Sequence, residues 1–132
     1  MEWIAFVIVC ALIEYTLFGV AVGKARTDYG VEAPATTGPP EFERTFRAHQ
    51  NTLENLVVFV PSIVIFGAYV SAWLGALVGV VWIVGRFVYF RGYVEDAPKR
   101  APGVLVTVLC NAVLAIGGGP GLTTTPGASP LG

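Results

Sequence analysis

LVVFVPSIVIFGAYVSAWLGALVGVVWIVG, residues 56–85, decides the fold. The stretch contains no charged residue. As a single helix rising about 1.5 Å per residue it would reach roughly 45 Å, against a hydrocarbon core of about 30 Å. It is too long for one crossing and therefore reads as a hairpin of two membrane helices. Gly67, Ser71 and Gly75 bracket a turn near Tyr69–Trp73. That turn puts the rings of Tyr69 and Trp73 at the membrane–water interface, where such rings concentrate.

Working outward, Trp3–Val22 is a further apolar run whose only charge is Glu14. Downstream, Ala101–Gly117 is apolar but interrupted by Thr107 and Asn111, so it is expected to pack inside a bundle; Gly117-Gly118-Gly119-Pro120 ends it. The chain thus predicts an all-α membrane protein with four spans at about 3–23, 42–69, 73–93 and 100–118. These form a four-helix transmembrane domain over 1–120, and the Thr/Pro/Gly-rich stretch 121–132 is expected to be a mobile tail. The first run is read as a retained helix, not a secretory signal. No basic residue precedes it, and it exceeds the ~7–15 residues of a signal core.

Composition agrees. Of 132 residues 55% are hydrophobic and only 13% charged, where a soluble domain has about 25%; the mean hydropathy is +0.69. A net charge of -1 gives no support for a nucleic-acid partner. Cys10 and Cys110 both lie in apolar runs and form no CxxC or Cys/His cluster. They read as small packing residues, and no metal site is expected.

Charge placement supports four spans over three. With four, segments 23–47 and 91–100 lie on one side. All eight basic residues (Lys24, Arg26, Arg44, Arg47, Arg86, Arg91, Lys99 and Arg100) then fall on that side or at its edge. By the positive-inside rule that side is cytoplasmic and the termini lie opposite. The connection from Lys24 to Pro40 carries Gly30, Pro34, Gly38, Pro39 and Pro40, and is expected to be a structured turn. Glu41 and Glu43 then open the second helix, where the helix dipole favours anions.

Ionisable residues within a membrane are costly and mark functional sites by default. Arg44, Arg47, Asn51 and Glu54 recur at helical spacing on one face of the second helix. Arg86, Tyr89 and Tyr93 do the same at the end of the third, and Lys99 and Arg100 open the fourth. Together they describe a basic, tyrosine-lined pocket containing one carboxylate. Arginines hold carboxylates through forked charge-assisted bonds, and Glu54 can accept an ammonium. Such a pocket fits glutathione, which has two carboxylates, one ammonium and a thiol, but this chemistry alone does not select it over other zwitterions. The competing reading is that these residues pair with one another and with lipid phosphates. Glu14, near mid-membrane in the first helix, reads either as a site residue or, the preferred reading, as an interhelical hydrogen-bonding group with Asn111 as a candidate partner. His49 lies off the main stripe, directed at a neighbouring helix or subunit. A lone subunit is expected to leave Arg47, Glu54 and Arg86 facing lipid, which favours association.

The motifs are more specific than the hydropathy. TTGPPEFERTFRAHQN, residues 36–51, resembles the signature of the MAPEG superfamily of membrane glutathione transferases. Within it TTGPPEFER is similar to the leukotriene C synthase branch, whereas RAHQNTLEN, residues 47–55, is similar to the microsomal glutathione transferase branch. GRFVYFRGY, residues 85–93, resembles the family's third-helix motif. The resemblance implies a homotrimer of four-helix subunits with glutathione bound between neighbours near the cytoplasmic face. By matching position, Arg47, Asn51, Glu54, Tyr89 and Tyr93 would contact glutathione from one subunit, and Arg26 and His49 from the next. Arg100 matches the thiolate-stabilising arginine, with Tyr93 the other catalytic candidate, and Arg86 matches a basic position beside the tyrosines.

Thr45, His49, Thr52 and Asn55 depart from the leukotriene branch, and Thr27 replaces a second arginine in the first loop. These departures point away from leukotriene synthesis and leave the glutathione residues in place. The implied activity is glutathione transfer to a hydrophobic electrophile arriving from the bilayer, with peroxidase activity on lipid hydroperoxides as an extension. The alternatives are a non-catalytic lipid-binding scaffold of the lipoxygenase-activating-protein type and a glutathione-dependent isomerase.

Overall fold

The computed structural model describes residues 1–119, so the tail expected over 121–132 lies outside the described residues. Four helices account for nearly all of it: α1 Glu2–Tyr29, α2 Pro40–Tyr69, α3 Ala72–Glu95 and α4 Ala101–Gly118. A single 3₁₀ turn, Ala97–Arg100, leads into α4. All four are long and apolar enough to cross a membrane. The run 56–85 is split at Val70–Ser71, as its length requires. Ser71 caps α3, its Oγ accepting from the Leu74 N–H at 3.1 Å, and so satisfies one of the free donors of a helix start.

The connection after α1 is shorter than the sequence suggested. Lys24, Ala25, Arg26, Thr27, Asp28 and Tyr29 all continue the helix. Polar residues end a membrane span but not a helix. The stop comes at Gly30, whose φ of 68° is left-handed and whose N–H returns to the Arg26 carbonyl. Only 30–39 is non-helical. Pro40 then opens α2, where a missing N–H costs nothing.

The surface is apolar on most sides. Trp3, Phe6, Val57, Trp73 and Ile116 are each at least 65% exposed, which suits lipid and not water. The interior is built on Ile4, Val7, Ala11, Phe59, Ile63, Trp82 and Leu114, with Phe59 stacked on Trp82 at 4.1 Å between centroids. Close approach depends on small residues, as in membrane bundles generally. A β-carbon on Gly79 of α3 would overlap Val7 of α1 and Ile63 of α2. In an up-down-up-down bundle α1 and α3 run parallel. They meet in one constant register, Val7 against Gly79 and Phe18 against Phe90, the last pair stacked at 4.0 Å.

Candidate functional site

A polar cavity of about 500 Å³ opens at the end of the bundle where α2 begins and α3 ends. Arg47, Gln50, Asn51, Leu53 and Glu54 of α2, Tyr89 and Tyr93 of α3, and Arg100 line it. The fold therefore brings together six of the residues singled out in the sequence, while Gln50 and Leu53 were missed. Neither had a signal of its own: Gln50 is uncharged and Leu53 is apolar, and both matter here only by position.

The arginine–tyrosine ladder fixes the cavity wall. Arg86 lies over the Tyr89 ring at 4.1 Å, Tyr89 meets Tyr93 edge to face at 5.6 Å, and Arg100 lies over Tyr93 at 5.0 Å. Such contacts are electrostatic attractions between a cation and a ring face. Across the cavity Asn51 is held by α3: its Oδ1 accepts from Arg86 Nη2 at 2.9 Å. Asn51 Oδ1 also accepts from Asn55 Nδ2 at 3.1 Å, and Asn55 Oδ1 accepts from Asn111 Nδ2 at 3.1 Å. A polar relay thus ties α3, α2 and α4 together behind the site. The expected partnership of Glu14 with Asn111 is not formed; Asn111 is engaged by Asn55, because both lie on the facing sides of α2 and α4.

Arg86 is not at the bilayer edge. It is 1% exposed, and donates to Thr52 Oγ1 at 2.8 Å and Thr107 Oγ1 at 3.4 Å as well as to Asn51. It lies under the cavity and borders a smaller recess of about 210 Å³ shared by Asn51, Tyr89 and Arg100. A single chain therefore buries Arg86 without help from a neighbour, contrary to the expectation that it would face lipid. Arg47 and Glu54 are exposed, as expected.

Arg44 points elsewhere: its Nε donates to the Val94 carbonyl at 3.4 Å and pins the start of α2 to the end of α3. Lys99 pairs with Glu95 at 2.6 Å, the only ion pair among the described residues. The cavity charges Arg47, Glu54 and Arg100 consequently do not neutralise one another. Arg26 and His49 do not line the cavity of their own chain. Arg26 donates to the Ala35 carbonyl at 2.7 Å and lies over Phe42 at 5.1 Å. His49 stacks on Tyr15 of α1 at 4.4 Å.

A second feature adjoins the first. An apolar groove of about 450 Å³ runs along α4, lined by Ala97, Pro98, Arg100, Ala101, Val104, Leu105 and Val108. Arg100 belongs to both walls, so a guanidinium stands where a charged compartment meets a lipid-facing one. Among the described residues no cluster of His, Cys, Asp and Glu could hold a metal ion.

Four membrane-length helices around a charged cavity at one end define an integral, multi-pass membrane protein. The MAPEG family model matches residues 4–119, and the chain belongs to that family. It is 38% identical over 122 residues to microsomal glutathione S-transferase 2 of Homo sapiens, covering 92% of this chain and 83% of the relative. It is 36% identical over 97 residues to leukotriene C4 synthase of Cavia porcellus, covering 74% and 65%. An uncharacterized protein of Synechocystis sp. is 39% identical over 115 residues, covering 87% and 84%.

Proposed function

We propose that the protein is a membrane-bound glutathione transferase that conjugates the glutathione thiolate to hydrophobic electrophiles. The observation that carries this reading is Arg100, shared by the charged cavity and the apolar groove. In the cavity Arg47 receives a glutathione carboxylate, Glu54 the ammonium, and Asn51 and the tyrosine hydroxyls the remaining polar groups. Arg100 stabilises the thiolate, since the thiolate and not the thiol is the nucleophile. The electrophile enters along Val104, Leu105 and Val108 from the bilayer, and attack occurs where the compartments meet. The glutathione-using relatives support glutathione as co-substrate, and the unpaired cations of the cavity support thiolate chemistry over a passive scaffold. The site is completed in a homotrimer, with Arg26 and His49 supplied by the adjacent subunit, and it faces the cytoplasm.

The test is a conjugation assay on purified protein in detergent, with a small aromatic electrophile and, separately, a lipid hydroperoxide. Saturable, glutathione-dependent conjugation is expected. Glutathione binding without turnover of either substrate would favour the scaffold.

A further inference from the structure

Arg86 makes all its hydrogen bonds to neutral oxygens, those of Asn51, Thr52 and Thr107, and its Nε–H has no partner. A guanidinium does not give up its proton in a protein, and an uncompensated cation in a water-poor interior is expensive. The ladder of cation and ring contacts offsets only part of that cost. An anion is needed near the one side of Arg86 that remains open.

Glu14 is the only carboxylate in the first membrane run. Its Oε1 is buried and also lacks a hydrogen-bond partner. The register of the parallel helices places it. Val7 faces Gly79 and Phe18 faces Phe90, at the same separation in sequence. Glu14 and Arg86 have that separation too, each one turn before the stacked phenylalanines. They therefore lie at the same depth on facing sides of α1 and α3, though not within 4 Å of each other in this structure. The rival cation is Arg91, which borders the same α1–α3 groove as Glu14. It is exposed, lies over Phe87 at 5.9 Å, and is more than a turn closer to the end of the bundle.

We propose that Glu14 is the counter-ion of Arg86 across the α1–α3 contact, and that this pair is a positioning device for the cavity. Arg86 holds Asn51 and underlies Tyr89, so an anchored Arg86 fixes two walls of the site. The pairing stands on the packing alone; its consequence for glutathione rests on the function proposed above.

The test is a double-mutant cycle on the full chain in detergent, read as thermal midpoint. Glu14→Leu and Arg86→Met each leave one charge unpaired and should lower the midpoint. The double variant leaves neither and should melt above both singles. Additive losses would overturn the pairing, as would coupling of Glu14→Leu to Arg91→Leu instead. Should the single variants fail to fold, the infrared difference between wild type and Glu14→Gln decides the same question. Loss of a carboxylate band supports the pair, and loss of a protonated-carboxyl band overturns it. For positioning, Glu14→Gln should raise the KM for glutathione about tenfold, roughly 1.4 kcal/mol, with kcat within about twofold. An unchanged KM removes the positioning role. A wild type that binds no glutathione would instead count against the proposed function, leaving the cycle to decide the pairing.

Discussion

Gly103 lies flat against the backbone of Tyr89, so close that a β-carbon built on it would overlap the N, Cα and Cβ of that residue. α4 can approach α3 at this level only because position 103 has no side chain. The contact sets where Arg100, less than one turn earlier, stands relative to the tyrosines. Backbone cannot swing aside as a flexible side chain can, so an added methyl must separate the helices. Gly103→Ala should cost about 1–3 kcal/mol of stability, the usual range for overpacking. It should also weaken glutathione binding more than a distant surface change such as Trp3→Ala. Thermal melts and equilibrium binding on the same preparation check both.

Thr52 and Thr107 present their hydroxyls to Arg86 while each also donates to a carbonyl one turn back, Ala48 at 2.9 Å and Gly103 at 2.8 Å. Both are essentially fully buried. Thr52→Val keeps the shape and removes the 2.8 Å acceptor of a buried guanidinium. A loss of about 1.5–3 kcal/mol is expected, as for hydrogen bonds to charged groups. A melting midpoint equal to wild type would show that Asn51 and Thr107 hold Arg86 without the Thr52 hydroxyl.

The spans were legible because hydrophobic length is a direct response to bilayer thickness, and the hairpin at Val70–Ser71 followed from that length. The end of α1 was not, because Lys24 to Tyr29 are compatible with a helix in water and hydropathy reports only where lipid ends. The cavity face was legible from the spacing of Arg47, Asn51 and Glu54. The depth of Arg86 was not: its spacing to Tyr89 and Tyr93 gives a shared face, while its burial depends on Thr52 and Thr107 from two other helices. Asn111 likewise found Asn55 and not Glu14, since the choice is made by the register between α2 and α4, which no single helix encodes.

The proposed cytoplasmic placement of the cavity rests on the basic residues gathered at one end. In a background lacking Cys10 and Cys110, a cysteine replacing Thr37 should be shielded from an impermeant thiol reagent in intact cells. One replacing Glu2 should react. Opposite labelling would reverse the topology.

Assembly is testable through Arg26, which lies outside the cavity of its own chain. Arg26→Ala and Arg47→Ala homomers should each lose most glutathione-dependent turnover. Co-expressed, they should recover part of it, because a site with Arg47 from one subunit and Arg26 from its neighbour is then intact. A mass measurement in mild detergent should give a trimer. Monomers only, or no recovery in mixed assemblies, would rule out an intersubunit site.

Arg100 is exposed, bonded only to the Ala97 carbonyl at 3.4 Å, and stacked over Tyr93. It is thus free to turn toward a bound sulfur. A free thiol titrates near about 8.5, so at neutral pH only a few per cent is thiolate. Each unit of depression needs about 1.4 kcal/mol of extra stabilisation of the anion. A guanidinium close to the sulfur in a partly dry cavity can supply about one to two such units, roughly 1.4–2.7 kcal/mol. The positive end of the α4 dipole adds a smaller field of the same sign. Arg100→Leu should therefore bind glutathione nearly as well as wild type but lose the ultraviolet thiolate absorbance and most turnover. Glu54→Ala should do the reverse, weakening binding by about one to two powers of ten while keeping the thiolate signal at saturation. Wild-type absorbance and rate in Arg100→Leu would transfer the role to another group, and Tyr93, directly beneath it, is the next to replace.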